Sequence, residues 1–309
     1  MSSPGGPVPV LEVGGSHVVG AIVENPVTDP RVGTVHRREL SVNGSADELL
    51  SAFADVADRT GAEPGAVWAA AVPGPFDLAT GIAHYADVGK FESLTGVDVA
   101  AELARRLRTR PRAISFVGDA SAFTIGEWRA GTARGRNRVL GITLGTGVGS
   151  GFLAGGRIVT EGGEVPPEGR IDLVRIAGRP LESTVSSRAI RRSLFRTTGA
   201  AAPEVREIAA RARAGDTVCA AALTTAFDQL GRALAPWVLR FAPDVVVVGG
   251  AIARSWDLVA GPLDGGLVAA MPSGAPVPPV ERAAVPDTAG LIGAAWHATY
   301  DPSPVRVEP

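Results

Sequence analysis

The stretch RVLGITLGTGVGSGFL, residues 138–153, decides how this chain is read. Arg138–Leu144 is a mainly apolar run that ends at Gly145-Thr146-Gly147, and a second apolar run follows around Gly151–Leu153. Two such runs joined by a glycine turn read as a β-hairpin. The same unit stands near the start of the chain: Val8–Val13, then Gly14-Gly15-Ser16, then Val18–Val23. Both halves therefore open on one architecture. Around these units, helical spacing covers Ala46–Arg59, with Leu49, Leu50, Phe53, Val56 and Ala57 on one face. Val67–Val72 reads as a buried strand ending at the rigid turn Pro73-Gly74-Pro75. A helix over Val97–Leu107 precedes a strand at Ala113–Val117, which stops at Gly118-Asp119 before a helix over Ser121–Arg129. Farther along, Gly162–Gly178 reads as a loop, Pro203–Arg213 as a helix, and Val218–Phe241 as a long apolar helix kinked at Pro236. Asp244–Val248 is a buried strand running into Gly249-Gly250, Ala289–Thr299 a last helix, and residues 301–309 a frayed tail. Strands alternating with helices define an α/β class with an at least partly parallel sheet.

Composition narrows the function classes. The chain has 309 residues, 45 % hydrophobic and 20 % charged, which suits two globular domains or one large one. Net charge is −2 and Lys90 is the only lysine, so no basic field exists for nucleic acid and no cluster marks a membrane surface. Cys219 stands alone, which excludes an internal disulfide and gives no cysteine-built metal site. Met1–Val10 lacks the charged and apolar regions of a signal peptide, and no apolar stretch approaches the roughly 20 residues of a membrane span. A cytoplasmic protein is expected.

Three glycine turns follow apolar strands: Gly14-Gly15-Ser16, Gly145-Thr146-Gly147 and Gly249-Gly250-Ala251. Glycine lets backbone N–H groups approach an anion, and a hydroxyl at the tip adds a donor. Each turn could hold part of a phosphate chain, or be an ordinary tight turn. None is a Walker P-loop, because no Gly-Lys-Ser/Thr follows. Asp119 sits beyond a buried strand, where α/β sheets bind ligands; it could take a proton from a substrate hydroxyl or serve only as a helix N-cap. Glu164 and Glu182 flank the Pro/Gly-rich loop and could accept hydrogen bonds from a polyhydroxylated ligand, although solvated surface glutamates read the same way. The four histidines are scattered, and no pair has metal-ligand spacing.

Together these segments resemble the ROK-type sugar kinases, a branch of the actin-like ATPase superfamily. Leu11-Glu12-Val13-Gly14-Gly15-Ser16-His17 is similar to the first phosphate motif, and Val72-Pro73-Gly74-Pro75-Phe76-Asp77 to the substrate-side turn. Gly118-Asp119-Ala120-Ser121-Ala122 resembles the segment that holds the catalytic base. Thr143–Gly151 is similar to the second phosphate motif, and Val245–Gly250 to the adenosine motif. The resemblance implies two actin-like (ribonuclease H-like) α/β domains around a central cleft. Residues 1–118, joined by helix 289–299, would form the smaller domain and residues 119–288 the larger. It implies ATP and Mg²⁺, with Gly14, Gly15, Ser16, Gly145, Thr146, Gly147, Gly249 and Gly250 on the nucleotide. Asp119 would be the general base, and Glu12 would meet Mg²⁺ through phosphate. Gly74, Asp87, Gly118, Glu164 and Glu182 would face a sugar or cyclitol. Relatives are often homodimers.

The departures are specific. Glu12 stands where the family usually has Asp, Gly118 where it has a sugar-contacting Asn, and Pro167 where it has a zinc-binding His. The cysteine-rich zinc segment is missing from Glu168 to Pro180, so no zinc site is expected. A retained nucleotide half with a remodelled substrate half favours a modified sugar, an amino sugar such as kanosamine or a C7-cyclitol such as valiolone, over plain glucose. Family branches in secondary metabolism take such substrates. A catalytically inactive sugar-binding or regulatory protein is the alternative. The family's repressors carry a DNA-reading domain ahead of the first phosphate motif, which here begins by residue 11.

Overall fold

A computed structural model describes residues 6–301 and 303–307. The chain divides into two compact units, the first running to Gly131 and resuming at Asp287, the second spanning Thr132–Pro286. The helix that begins at Asp119 thus stays with the first unit, where the sequence reading had set the boundary at 118/119.

The first unit opens with β1 (Val8–Val13) and β2 (His17–Glu24), an antiparallel hairpin with Val13 opposite Val18. Short strands β3 (Arg31–Val32) and β4 (His36–Glu39) extend it from β2. Helix α1 (Ala46–Asp58) starts at a capping box the sequence reading missed: Glu48 N–H donates to Ser45 Oγ at 3.3 Å, and Ser45 N–H to Glu48 Oε2 at 2.8 Å. Strand β5 (Val67–Val72) leads through Pro73 to the ribbon β6 (Phe76–Asp77) and β7 (Ile82–Ala83). Helix α2 (Val99–Arg106), strand β8 (Ala113–Gly118) and helix α3 (Asp119–Ala130) complete this segment.

In the second unit, β9 (Arg138–Leu144) and β10 (Val148–Ala154) repeat the hairpin, with Leu144 opposite Val148, and β11 (Arg157–Ile158) edges it. The expected loop over 162–178 carries two 3₁₀ turns and part of a small ribbon, β12 (Arg175–Ile176) with β13 (Arg179–Pro180). Then come α4 (Glu182–Val185), α5 (Ser187–Thr198), α6 (Val205–Arg213) and α7 (Thr217–Phe241), the last a single helix through Pro236. Strand β14 (Val245–Gly249), helix α8 (Trp256–Ala270) and strand β15 (Val280–Arg282) follow. The sequence reading had no element at α5 or α8. Helix α8 contains Gly261-Pro262 and Gly265-Gly266, which local propensity counts against a helix. Packing overrides it: a Cβ on Gly266 would lie 2.1 Å from Asp228 O, and one on Gly231 2.1 Å from Leu263 O, so α7 and α8 approach backbone to backbone.

The chain returns to the first unit through α9 (Ala289–Tyr300) and β16 (Val305–Arg306). Antiparallel pairing of Val305 with Ile114 corrects the expectation of a frayed tail; residues 302, 308 and 309 lie outside the described residues. The first sheet is ordered β16-β8-β5-β1-β2-β3, with β4 on β2, and the second β11-β10-β9-β14-β15. Each is mixed: β1, β5 and β8 are mutually parallel, as are β9, β14 and β15. Val245–Val248 are fully buried, each contributing on the order of 1.5–3 kcal/mol by burial. Among the described residues, no helix is long and apolar enough to cross a membrane. The class is α/β, as the sequence indicated.

Candidate functional site

In the first unit, three parallel strands deliver their carboxyl ends side by side. Glu12 pairs with Ala71, Ala71 with Val117, and Val72 with Gly118. The turn at Gly14, the Pro73-Gly74-Pro75 turn and Asp119 therefore leave one sheet edge together, where α/β sheets place ligands. At the first turn, Gly14 N–H donates to His17 O at 2.8 Å and Ser16 stands exposed at the tip. Gly74 is exposed, and the Gly74-Pro75 peptide is cis. Buried Tyr85 donates its hydroxyl proton to Pro73 O at 2.8 Å, tying the loop that carries exposed Asp87 to that turn. Burial, with the nearby Asp119 charge, holds the Tyr85 hydroxyl well above its ordinary value, so it remains a donor.

Asp119 is half-buried at the start of α3, and its Oδ1 accepts from Ala120 N–H at 2.8 Å. Glu12 is partly buried. Burial first, then the charges of Asp119 and Asp287, raise its carboxyl from 4.5 to about 7. The charges of Asp119 and Asp287 thus both act on Glu12. Among the described residues, however, no group of three or more His, Cys, Asp or Glu side chains is placed to hold a metal ion by itself. Gly118 is the N-cap of α3 with extended backbone, and a Cβ there would meet nothing nearer than Ser121 Oγ at 3.9 Å. Neither packing nor backbone conformation demands glycine at that position.

The second unit holds a parallel arrangement. Gly145 N–H donates to Gly147 O at 3.0 Å, and Thr146 is exposed at the tip. The start of α5 closes the turn from one side: Ser187 N–H and Oγ donate to Gly145 O at 3.0 and 2.8 Å. No heavy atom lies within 4 Å of where a Gly145 Cβ would stand, so the open backbone is accessible to a ligand. Glu182 lies beside this turn, its Oε1 3.3 Å from the Cβ position of Gly147. Gly249 pairs with Thr143. Gly250 is glycine for structural reasons: its φ is +88°, and a Cβ would lie 2.4 Å from Leu144 O. It buttresses the strand end that carries the turn.

Glu164 is not brought to these residues. Its Oε2 accepts from Arg138 at 2.7 Å, and Arg138 begins β9 while Gly145 follows its last residue. At about 3.3 Å per residue, the length of that strand separates Glu164's partner from the turn. Arg138 also donates to Phe241 O at 2.6 Å and stacks 4.2 Å over the Phe241 ring. Glu164 is thus a partner in this anchor, with its side chain 41 % exposed. Asp287, two residues before α9, and Gly290, the second residue of α9, were missed by the sequence reading. Their signal was invisible because α9 lies far along the chain from Glu12, and only the fold joins them.

The chain resembles known proteins over nearly its whole length. It is 28 % identical over 285 residues to the glucokinase of Thermotoga maritima, covering 84 % of this chain and 88 % of that one. The glucokinase of Streptomyces griseus, solved with glucose and AMPPNP, superposes with a TM-score of 0.77 at 22 % identity, covering 94 % and 98 % of the two chains. The ROK hexokinase of Thermus thermophilus gives 0.74 at 24 % identity, covering 94 % and 97 %. These likenesses match the two-domain actin-like fold. The ROK family model matches residues 10–300, and the chain belongs to the ROK family.

Proposed function

We propose that this protein transfers the γ-phosphoryl group of ATP to a hydroxyl of a sugar or sugar-like substrate, and that the substrate is a modified sugar rather than plain glucose. Family membership and the glucokinase and hexokinase relatives support the reaction class. Asp119 is the general base in this reading. Its carboxylate orients the substrate hydroxyl and accepts its proton as the oxygen attacks phosphorus. The turns at Gly14 and Gly145 offer backbone N–H groups and exposed hydroxyls to phosphate oxygens, and Glu182 supports the second turn. Mg²⁺, when bound, would neutralise developing phosphate charge, and Glu12 would meet it through the phosphate.

The observation that carries the substrate reading is the open space at Gly118, one residue before Asp119. Where the family's Asn would fill that volume and bond a glucose hydroxyl, this chain leaves room for a different substituent. An amino sugar or a C7-cyclitol fits that change. Gly118→Asn tests it: the variant should gain kcat/KM for glucose and lose it for the modified substrate, about tenfold or more for a hydrogen bond gained or lost. An unchanged preference contradicts the reading.

A further inference from the structure

Gly290 is the second residue of α9 and is buried. A Cβ built on it would lie 2.4 Å from Glu12 Cδ and 2.5 Å from both Oε1 and Oε2. The three nearest atoms all belong to one carboxyl group, which therefore lies flat over the bare Gly290 Cα. The neighbouring glycines of the α3–α9 contact are different. A Cβ on Gly126 would lie 1.9 Å from Ala289 O, and one on Gly293 1.8 Å from Ala122 O. Those two glycines are dictated by backbone, whereas Gly290 meets a side chain.

Neither side of the Glu12–Gly290 contact can retreat as a body. Strand β1 is held between β2 and β5, and α9 is interlocked with α3 through Gly126 and Gly293. Only the Glu12 side chain can give way. Its length matters too. An aspartate at position 12 would end about one C–C bond, roughly 1.5 Å, short of Gly290 and would leave room for a methyl group.

We propose that Gly290 is a positioning residue for Glu12, its bare Cα being the seat that fixes where this longer carboxylate stands beside the first glycine turn. The consequence for catalysis rests on the phosphotransfer reading above; the contact does not. Gly290→Ala is expected to fold, because the clash falls on a side-chain end, and to push the Glu12 carboxylate aside by an ångström or more. That displacement lowers kcat about a hundredfold with little change in KM for the sugar. Combining it with Glu12→Asp restores activity to the level of Glu12→Asp alone. A Gly290→Ala enzyme within twofold of wild type, or a double variant no better than Gly290→Ala, overturns the proposal.

A stability cycle on the ligand-free protein reads the contact independently of any reaction. With Glu12 present, alanine at position 290 lowers Tm. In the Glu12→Asp background the same substitution raises Tm, because alanine is the better helix former once the clash is gone. Additive shifts, or failure of the double variant to fold, overturn the proposal. If no sugar is phosphorylated by the wild type, the phosphotransfer reading fails while this cycle still decides the contact.

Discussion

Glu12→Gln isolates the energetic consequence of placing a carboxylate where two others already stand. The Glu12 carboxyl is raised from 4.5 to about 7, chiefly by burial and then by Asp119 and Asp287. At about 1.4 kcal/mol per pH unit, the ionised form costs the ligand-free fold about 3 kcal/mol. Because the folded value lies above the unfolded one, the cost is absent below about pH 4.5 and complete above about pH 7. Wild-type stability should therefore fall as pH rises through that window. Glutamine keeps the shape without the charge. Urea unfolding of both proteins, measured from pH 4.5 to 8 without nucleotide or metal, should show Glu12→Gln gaining on wild type by about 3 kcal/mol across the range. Taking the difference cancels the titration of the shared groups that do not interact with Glu12. A difference that stays flat with pH, or that favours wild type more at high pH, would refute the electrostatic reasoning.

Three further outcomes follow from the geometry. Asp119→Asn should lower kcat by a factor of about 10²–10⁴ while nucleotide affinity, read by calorimetry, is retained; near-normal turnover would remove Asp119 from its role. Gly250→Ala combines a left-handed backbone, φ +88°, with a contact on Leu144 O. It should destabilise the second unit by at least about 1–3 kcal/mol and raise KM for ATP, as thermal unfolding and kinetics would show. Glu164→Ala breaks the bond to Arg138 and should lower Tm slightly while leaving KM for the sugar unchanged; a large rise in that KM would return Glu164 to the substrate.

Much of the fold is legible because its strands are short apolar runs stopped by glycine. Val8–Val13, Val67–Val72 and Arg138–Leu144 have the bounds the sequence indicates. Helix α8 was not legible, because Gly265-Gly266 serve tertiary packing against α7 and count as breakers in isolation. The tail strand β16 depends on an edge offered by β8, which no local pattern announces. At the site, the glycine turns and Asp119 stood out by following buried strands. The bond from Arg138, at the start of β9, to Glu164 was not legible, because the two are joined only by the fold. Asp287 and Gly290 needed the fold, since the charge of the first acts on Glu12 of β1 and the second lies against its carboxyl group.

The most direct measurement is ADP release from Mg-ATP by the wild-type protein against a panel of glucose, mannose, glucosamine, N-acetylhexosamines, kanosamine and C7-cyclitols, with Asp119→Asn as control. Turnover that depends on the sugar, is highest on an amino sugar or cyclitol and is lost in the control is the expected result. Preference for plain glucose contradicts the substrate reading, and silence across the panel with nucleotide still bound contradicts the kinase reading itself.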